Sequence, residues 1–197
     1  MGSKRVTISD DTAGFEAASL ASAEPGRLRA LFEQHYASIW RLLRRLGVPT
    51  AQLDDAAQEV FWVAARRLSD IEPGREHSFL YGVALRVAST QVRRQPALKD
   101  VALEDFQQLA DPRPSPEEVY EQKCLRRLLD HILLQMSEDL RFVFVLCELE
   151  GLEVKEVAAL VQIPLGTASS RLRRAREDFS SIAKRERAAL KSRKEQG

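Results

Sequence analysis

From Leu28 the apolar positions fall into the spacing of a single helical face. Leu28, Phe32, Ile39, Leu42 and Leu46 share one stripe, with His35 among them, until Gly47 and then Pro49 stop it. A second helix is expected after Thr50, a residue suited to its N-cap, with Asp54 and Asp55 near the positive end of the helix dipole. Its buried stripe reads Leu53, Ala57, Val60, Phe61, Ala64 and Leu68. The stretch SDIEPGREHS (69–78) is rich in turn formers, and FLYGVALRVASTQVRR (79–94) restores the helical pattern before ending in basic residues.

The periodicity then lapses. Pro96, Pro112, Pro114 and Pro116 forbid a long helix across residues 96–118, whose acidic composition reads as a linker. Helical spacing resumes at Val119 and runs to Met136. Ser137 then stands as the N-cap of a helix containing LRFVFVLCELE, closed by Gly151. No strand-like alternation and no internal repeat interrupts the chain. The fold class is therefore all-α: a mobile N-terminal arm (1–24), a helical domain (25–95), a flexible acidic linker (96–118), a second helical domain (119–185) and a basic tail (186–197).

Charge sharpens this division. The net charge of +1 says nothing about partners, but its distribution does. Residues 168–197 hold ten Lys or Arg against four acids, whereas residues 95–121 hold seven acids against two bases. The two ends of the chain are thus built to meet different surfaces. Cys124 and Cys147 lie in apolar helical patterns without metal-ligand spacing and read as small buried thiols. No apolar run approaches the ~18–20 residues of a membrane span, and the polar N-terminus has no signal-peptide character, which points to a reduced, cytoplasmic setting without membrane insertion. His35, His77 and His131 fall in separate elements, and no nucleophile, phosphate-loop or metal pattern emerges, so neither catalysis nor a cofactor is expected.

The chemistry concentrates in LEVKEVAALVQIPLGTASSRLRRARE (152–177). Val154, Val157, Ala158 and Val161 give a short amphipathic helix, and Pro164 suits the first position of the next one. In that next helix Ala168, Leu172, Ala175 and Phe179 share a face. Burying them leaves Ser169, Ser170, Arg173 and Arg174 outward, with Thr167 at the N-terminal end and Arg171 nearby. This is a helix-turn-helix arrangement, whose second helix fits the major groove. There Arg can bond guanine O6 and N7, while Ser and Thr reach base edges or phosphates. An ordinary helical hairpin with a solvated basic face fits the same residues, though the basic tail adds the phosphate neutralisation that DNA affinity requires.

The residues VFVLCELEGLEVKEVAALVQIPLGTASSRLRRARE resemble the −35-reading domain of the extracytoplasmic-function (ECF) sigma factors. The N-terminal half agrees independently: HYASIWRLLRRLG and LDDAAQEVFWVAARRL resemble that family's first conserved region and its polymerase-binding helix. The resemblance spans about residues 28–180 in the right order. It implies that the helix after Thr50 docks on the clamp helices of the largest subunit of bacterial core RNA polymerase, through Asp54, Asp55, Gln58, Glu59 and Trp62. A Trp in an exposed polar stripe fits such a partner surface.

The same resemblance places helix 79–94 against the −10 element of promoter DNA as a melted strand. Capturing unstacked bases needs aromatic surface and positive charge. Phe79, Tyr81, Arg86, Arg93 and Arg94 are the candidates, although Phe79 and Tyr81 cannot both face DNA. Thr167, Ser169, Ser170, Arg171, Arg173 and Arg174 become the −35 candidates, and an anti-sigma factor becomes an expected partner. The sequence departs from the family pattern at several points. Phe79 stands where Trp is usual, Leu85-Arg86 where Arg-Asn is frequent, Thr90 for an Asp, Cys147 for a basic residue, and Met136-Ser137 for Leu-Pro. Gln162 replaces the turn's usual Gly, at a cost of about 1 kcal/mol if the backbone there is left-handed. A stand-alone helix-turn-helix regulator is the alternative function; it predicts tight operator binding without polymerase and a dimer, for which no heptad pattern is present.

Overall fold

The computed structural model describes the backbone of residues 11–94 and 116–195, and side chains over 26–93 and 124–189. Seven α-helices follow one another: α1 (Asp11–Arg45), α2 (Leu53–Arg66), α3 (Glu76–Arg94), α4 (Pro116–Gln135), α5 (Glu138–Phe144), α6 (Val154–Val161) and α7 (Leu165–Glu195). Among the described residues there is no strand. Most of the acidic linker lies outside the described residues.

Helices α1 to α3 form the N-terminal bundle. Ile39, Leu42 and Leu43 of α1, with Leu46 in the turn after it, are buried against Leu53, Ala57, Val60 and Ala64 of α2 and Leu80, Ala84 and Ala88 of α3. Phe32, expected in this stripe, is 43% exposed and leans on Tyr36 and Phe61 instead. The stop at Gly47 has the hydrogen bonding of a helix C-cap. Gly47 takes φ 96°, and the Val48 N–H reaches back to the Leu43 carbonyl at 3.1 Å. Thr50 does not cap α2: it opens a single 3₁₀ turn (Thr50–Gln52), and α2 starts after Gln52.

Two boundaries differ from expectation because helix propensity outweighs the lack of an apolar stripe. The arm expected to be mobile is helical from Asp11 onward, continuous with α1. Its alanines lose little side-chain entropy in a helix. The basic tail is likewise the continuation of α7, a helix of 31 residues.

In the C-terminal half, Ile132 and Leu133 of α4, Met136 just after it, Phe142 and Val143 of α5, Val157 and Ala158 of α6 and Ala168, Leu172 and Ala175 of α7 are buried. Phe179 stacks on Phe144 with ring centroids 4.6 Å apart. Ser137 occupies the N-cap of α5 but makes no side-chain cap bond. After α5 the chain widens into one π turn (Val145–Leu149), closed by the Glu150 N–H on the Val145 carbonyl at 3.0 Å.

The two halves do not stand apart. Their buried apolar side chains belong to one contiguous cluster, with α3 packed on α6 and α1 on α4.

Candidate nucleic-acid and partner interfaces

The helix-turn-helix is formed by α6, a three-residue turn and α7. Glu156 accepts the Glu153 N–H at 2.8 Å, which fixes the start of α6. Gln162 closes the helix with φ 58° and ψ 46°, the left-handed geometry for which Gly would be free of strain. Ile163 N–H then bonds the Ala158 carbonyl at 3.0 Å. Pro164 sits one position earlier than expected, as the cap whose carbonyl accepts the Ala168 N–H at 3.0 Å.

On α7, Ser169, Ser170, Arg173 and Arg174 are exposed, as their spacing predicts. Both serine hydroxyls donate to carbonyls within the helix, Ser169 to Leu165 and Ser170 to Thr167, while Thr167 itself is half-buried. The arginines differ sharply in what holds them. Arg171 is drawn to Asp139 of α5 at 2.8 Å and is largely covered. Arg173 pairs with Glu177 one turn on, an exposed contact that a phosphate or base can replace at little cost. Arg176 grips Glu148 through both Nε and Nη2. Arg174 has no acidic partner among the described residues. Sequence reasoning missed Leu165, which opens α7 54% exposed beside this face.

On the N-terminal bundle, Asp54, Asp55, Gln58, Glu59 and Trp62 all face solvent along α2. Trp62 is 60% exposed, with the Arg66 guanidinium 4.6 Å from its ring centroid. Asp54 is less free than its neighbours. It accepts the Trp40 indole N–H at 3.0 Å and the Tyr36 hydroxyl at 3.3 Å.

The −10 candidates on α3 divide. Phe79, Arg86 and Arg93 repeat at seven-residue intervals and therefore share a face. Phe79 is half-buried near Arg67, and Arg86 is exposed. Arg94 closes α3, but its side chain lies outside the described residues. Tyr81 points elsewhere and is not open to DNA in this arrangement: it is 1% exposed, and its hydroxyl donates to Glu150 of the other half at 2.5 Å. Burial and that carboxylate push its phenol well above the ordinary range. Beside it His77 packs ring on ring at 3.9 Å, and burial holds the imidazole below its usual value.

Comparison with known proteins finds a family match in each half of the chain. Residues 31–97 match the family described as Sigma-70 region 2, and residues 126–179 match Sigma-70, region 4. The ECF RNA polymerase sigma-E factor of Escherichia coli K12 is 32% identical over 139 residues, covering 66% of this chain and 73% of that protein. This chain belongs to the ECF sigma factors.

The ECF RNA polymerase sigma factor SigE of Mycolicibacterium smegmatis is 30% identical to this sigma factor over 169 residues, 85% of its length. The match spans 65% of the mycobacterial protein. The solved structure of CnrH in complex with the cytosolic domain of CnrY shares the fold at a TM-score of 0.58 and 22% identity, over 82% of this chain and 92% of that one. Among the described residues no group of His, Cys, Asp and Glu is placed to hold a metal ion, and no helix is long and apolar enough to cross a membrane.

Proposed function

We propose that this sigma factor joins bacterial core RNA polymerase through α2 and directs initiation at promoters by reading two elements. Asp55, Gln58, Glu59 and Trp62 meet the clamp helices of the largest subunit, with Asp54 held in place at the edge of that surface. The recognition helix α7 enters the major groove at −35, where Arg174 and Arg173 reach base edges and Ser169, Ser170 and Thr167 bond bases or phosphates. The face of α3 carrying Phe79, Arg86 and Arg93 takes the melted −10 strand. Transcription initiation of this kind takes place in the cytoplasm.

The observation that carries this reading is α2 itself. A helix whose inner side is fully buried sets a large exposed Trp among acids and amides on its outer side, which suits a protein partner and not DNA. A protein that covers this surface would silence the factor, and CnrH, its structural neighbour, was solved with another protein's cytosolic domain bound. We infer an anti-sigma partner on that ground.

Reconstitution tests the reading. Purified protein is mixed with core polymerase, with and without Asp55→Ala/Glu59→Ala, and scored by co-elution and by transcription from a genomic fragment library. Core binding and specific initiation, both weakened by the double substitution, are the expected result. Tight duplex binding by the protein alone, with no association with core, would favour the stand-alone regulator.

A further inference from the structure

The connection between α2 and α3 is held by a side chain of α1. Arg27 donates to two of its backbone carbonyls, Leu68 at 3.1 Å and Ile71 through the other terminal nitrogen. The same guanidinium lies 3.6 Å from the Glu76 carboxylate in the first turn of α3. Beneath these contacts Leu68 and Ile71 bury their own side chains. The connection has little regular backbone structure otherwise. One 3₁₀ turn (Leu68–Asp70) is closed by the Ile71 N–H on the Leu68 carbonyl at 3.3 Å, and a turn at Gly74 with φ 84° follows. A planar, charged fork on two carbonyls therefore supplies much of what fixes this segment.

The same connection sets up the face of α3 that carries Phe79. Arg67, at the end of α2, donates from Nε to Asp70 at 3.0 Å and stands 5.8 Å from the Phe79 ring centroid. Arg67 is exposed and Phe79 half-buried. An aromatic ring with a guanidinium beside it suits an unstacked base, through stacking and cation–π attraction. Asp70, which aims Arg67, belongs to the 3₁₀ turn that Arg27 grips at its first residue and just past its last. Releasing that grip lets Arg67 drift from Phe79. Arg27 also precedes the residues that match Sigma-70 region 2 (31–97), so this support comes from outside the matched stretch.

We propose that Arg27 is a positioning residue for −10 recognition: it presets the α2–α3 connection so that Arg67 and Phe79 stand ready for the melted strand. That role rests on the sigma reading above and deepens its −10 part. Arg27 touches no base itself. It acts before the strand arrives, because a segment already ordered in the binding geometry loses less entropy on binding. Where only a fraction of molecules holds that geometry, apparent affinity falls by the same fraction. With the connection released in about nine molecules of ten, the melted strand binds about tenfold more weakly. The outer face of α2 and the recognition helix α7 are left as they were.

The test uses the full chain with core polymerase and the promoter fragment most strongly transcribed from the genomic library. Arg27→Ala is expected to co-elute with core, and its holoenzyme to bind a duplex spanning −35, as the unsubstituted protein does. The same holoenzyme is expected to bind the single-stranded −10 oligonucleotide about tenfold more weakly. Strand opening, followed by 2-aminopurine fluorescence within −10, is expected to slow by a similar factor. Arg27→Lys keeps the charge without the fork and is expected to recover part of the loss; it takes the same readouts should Arg27→Ala not fold. Phe79→Ala is expected to weaken oligonucleotide binding, and Arg27→Ala/Phe79→Ala to weaken it no further, since the two act as one unit. Unchanged oligonucleotide binding and opening in Arg27→Ala overturn the positioning role, and so do additive effects of the two substitutions. Parallel loss of core binding, −35 binding and opening overturns it as well, in favour of a general support of the fold. Failure of the unsubstituted protein to bind core and initiate overturns the sigma reading, and this role with it.

Discussion

Two turn residues with positive φ carry opposite predictions. Gly47 must be glycine for two reasons: its φ is 96°, and an added Cβ would come within 2.9 Å of the Arg141 guanidinium. Gly47→Ala is expected to destabilise the fold by at least about 1 kcal/mol from the backbone alone, lowering Tm in a thermal melt by about 2–4 °C for each kcal/mol. Gln162 shows the reverse. Its side chain is exposed while its backbone is left-handed, so Gln162→Gly is expected to raise Tm by relieving strain of about the same size. His77 adds a pH dependence. Burial disfavours its charged form, His35 opposes it further, and Glu150 and Glu156 only partly compensate. The unfolded chain therefore binds the proton more readily than the folded one. Stability is expected to be greatest above pH ~6.5 and to fall as pH drops from there through the lowered folded-state value. Denaturant midpoints from pH 8 to 5 check this, and His77→Gln is expected to flatten the trend.

At the scale of elements, the helices were legible wherever an apolar stripe decided them. The buried faces of α2 and α7 are those the spacing indicates, because a 3.6-residue period leaves one choice of inner side. The recognition helix was less legible in its charges. Arg171, Arg173, Arg174 and Arg176 look equivalent in sequence, yet Asp139 and Glu148, far away in the chain, claim two of them. Their roles separate accordingly. Arg174→Ala is expected to cost about 1–3 kcal/mol of binding at a −35 duplex and to relax base preference at one position. Arg171→Ala is expected to loosen α5 from α7, lowering Tm with little change in base preference. Binding measured against a panel of single-base variants distinguishes the two. The helical course of residues 11–24 was not legible because propensity without a stripe gives periodicity nothing to register.

For the whole molecule, two helical halves could be inferred from the proline-rich break, but their union could not. The groups that join them, Arg44, Arg45 and Tyr81 on one side and Asp130, Glu138 and Glu150 on the other, lie some 50 to 100 residues apart and belong to no local pattern. Tyr81 illustrates the limit. Its type and position suit base stacking, and only the neighbouring half reveals that its hydroxyl is already taken. Ion pairs near a surface weaken as salt shortens the Debye length, from about 10 Å at 0.1 M to 3 Å at 1 M. Interdomain energy transfer is accordingly expected to fall as salt rises across that range, and to depend less on salt once Glu150 is replaced by Ala.

The π turn at Val145–Leu149 sets the angle at which Glu150 leaves its helix. An i→i+5 ring holds one residue more than the α-helical ring, so excising one residue would let the segment wind as ordinary α-helix. Because a five-residue π turn sweeps nearly the same angle as a four-residue α turn, the face that Glu150 presents would be kept after that excision. Winding the same five residues as α-helix would instead swing everything after them by about 100°, and the carboxylate would turn away from Tyr81 and Arg45. The extra residue is thus absorbed where it stands, and the contact between the halves depends on this turn staying wide.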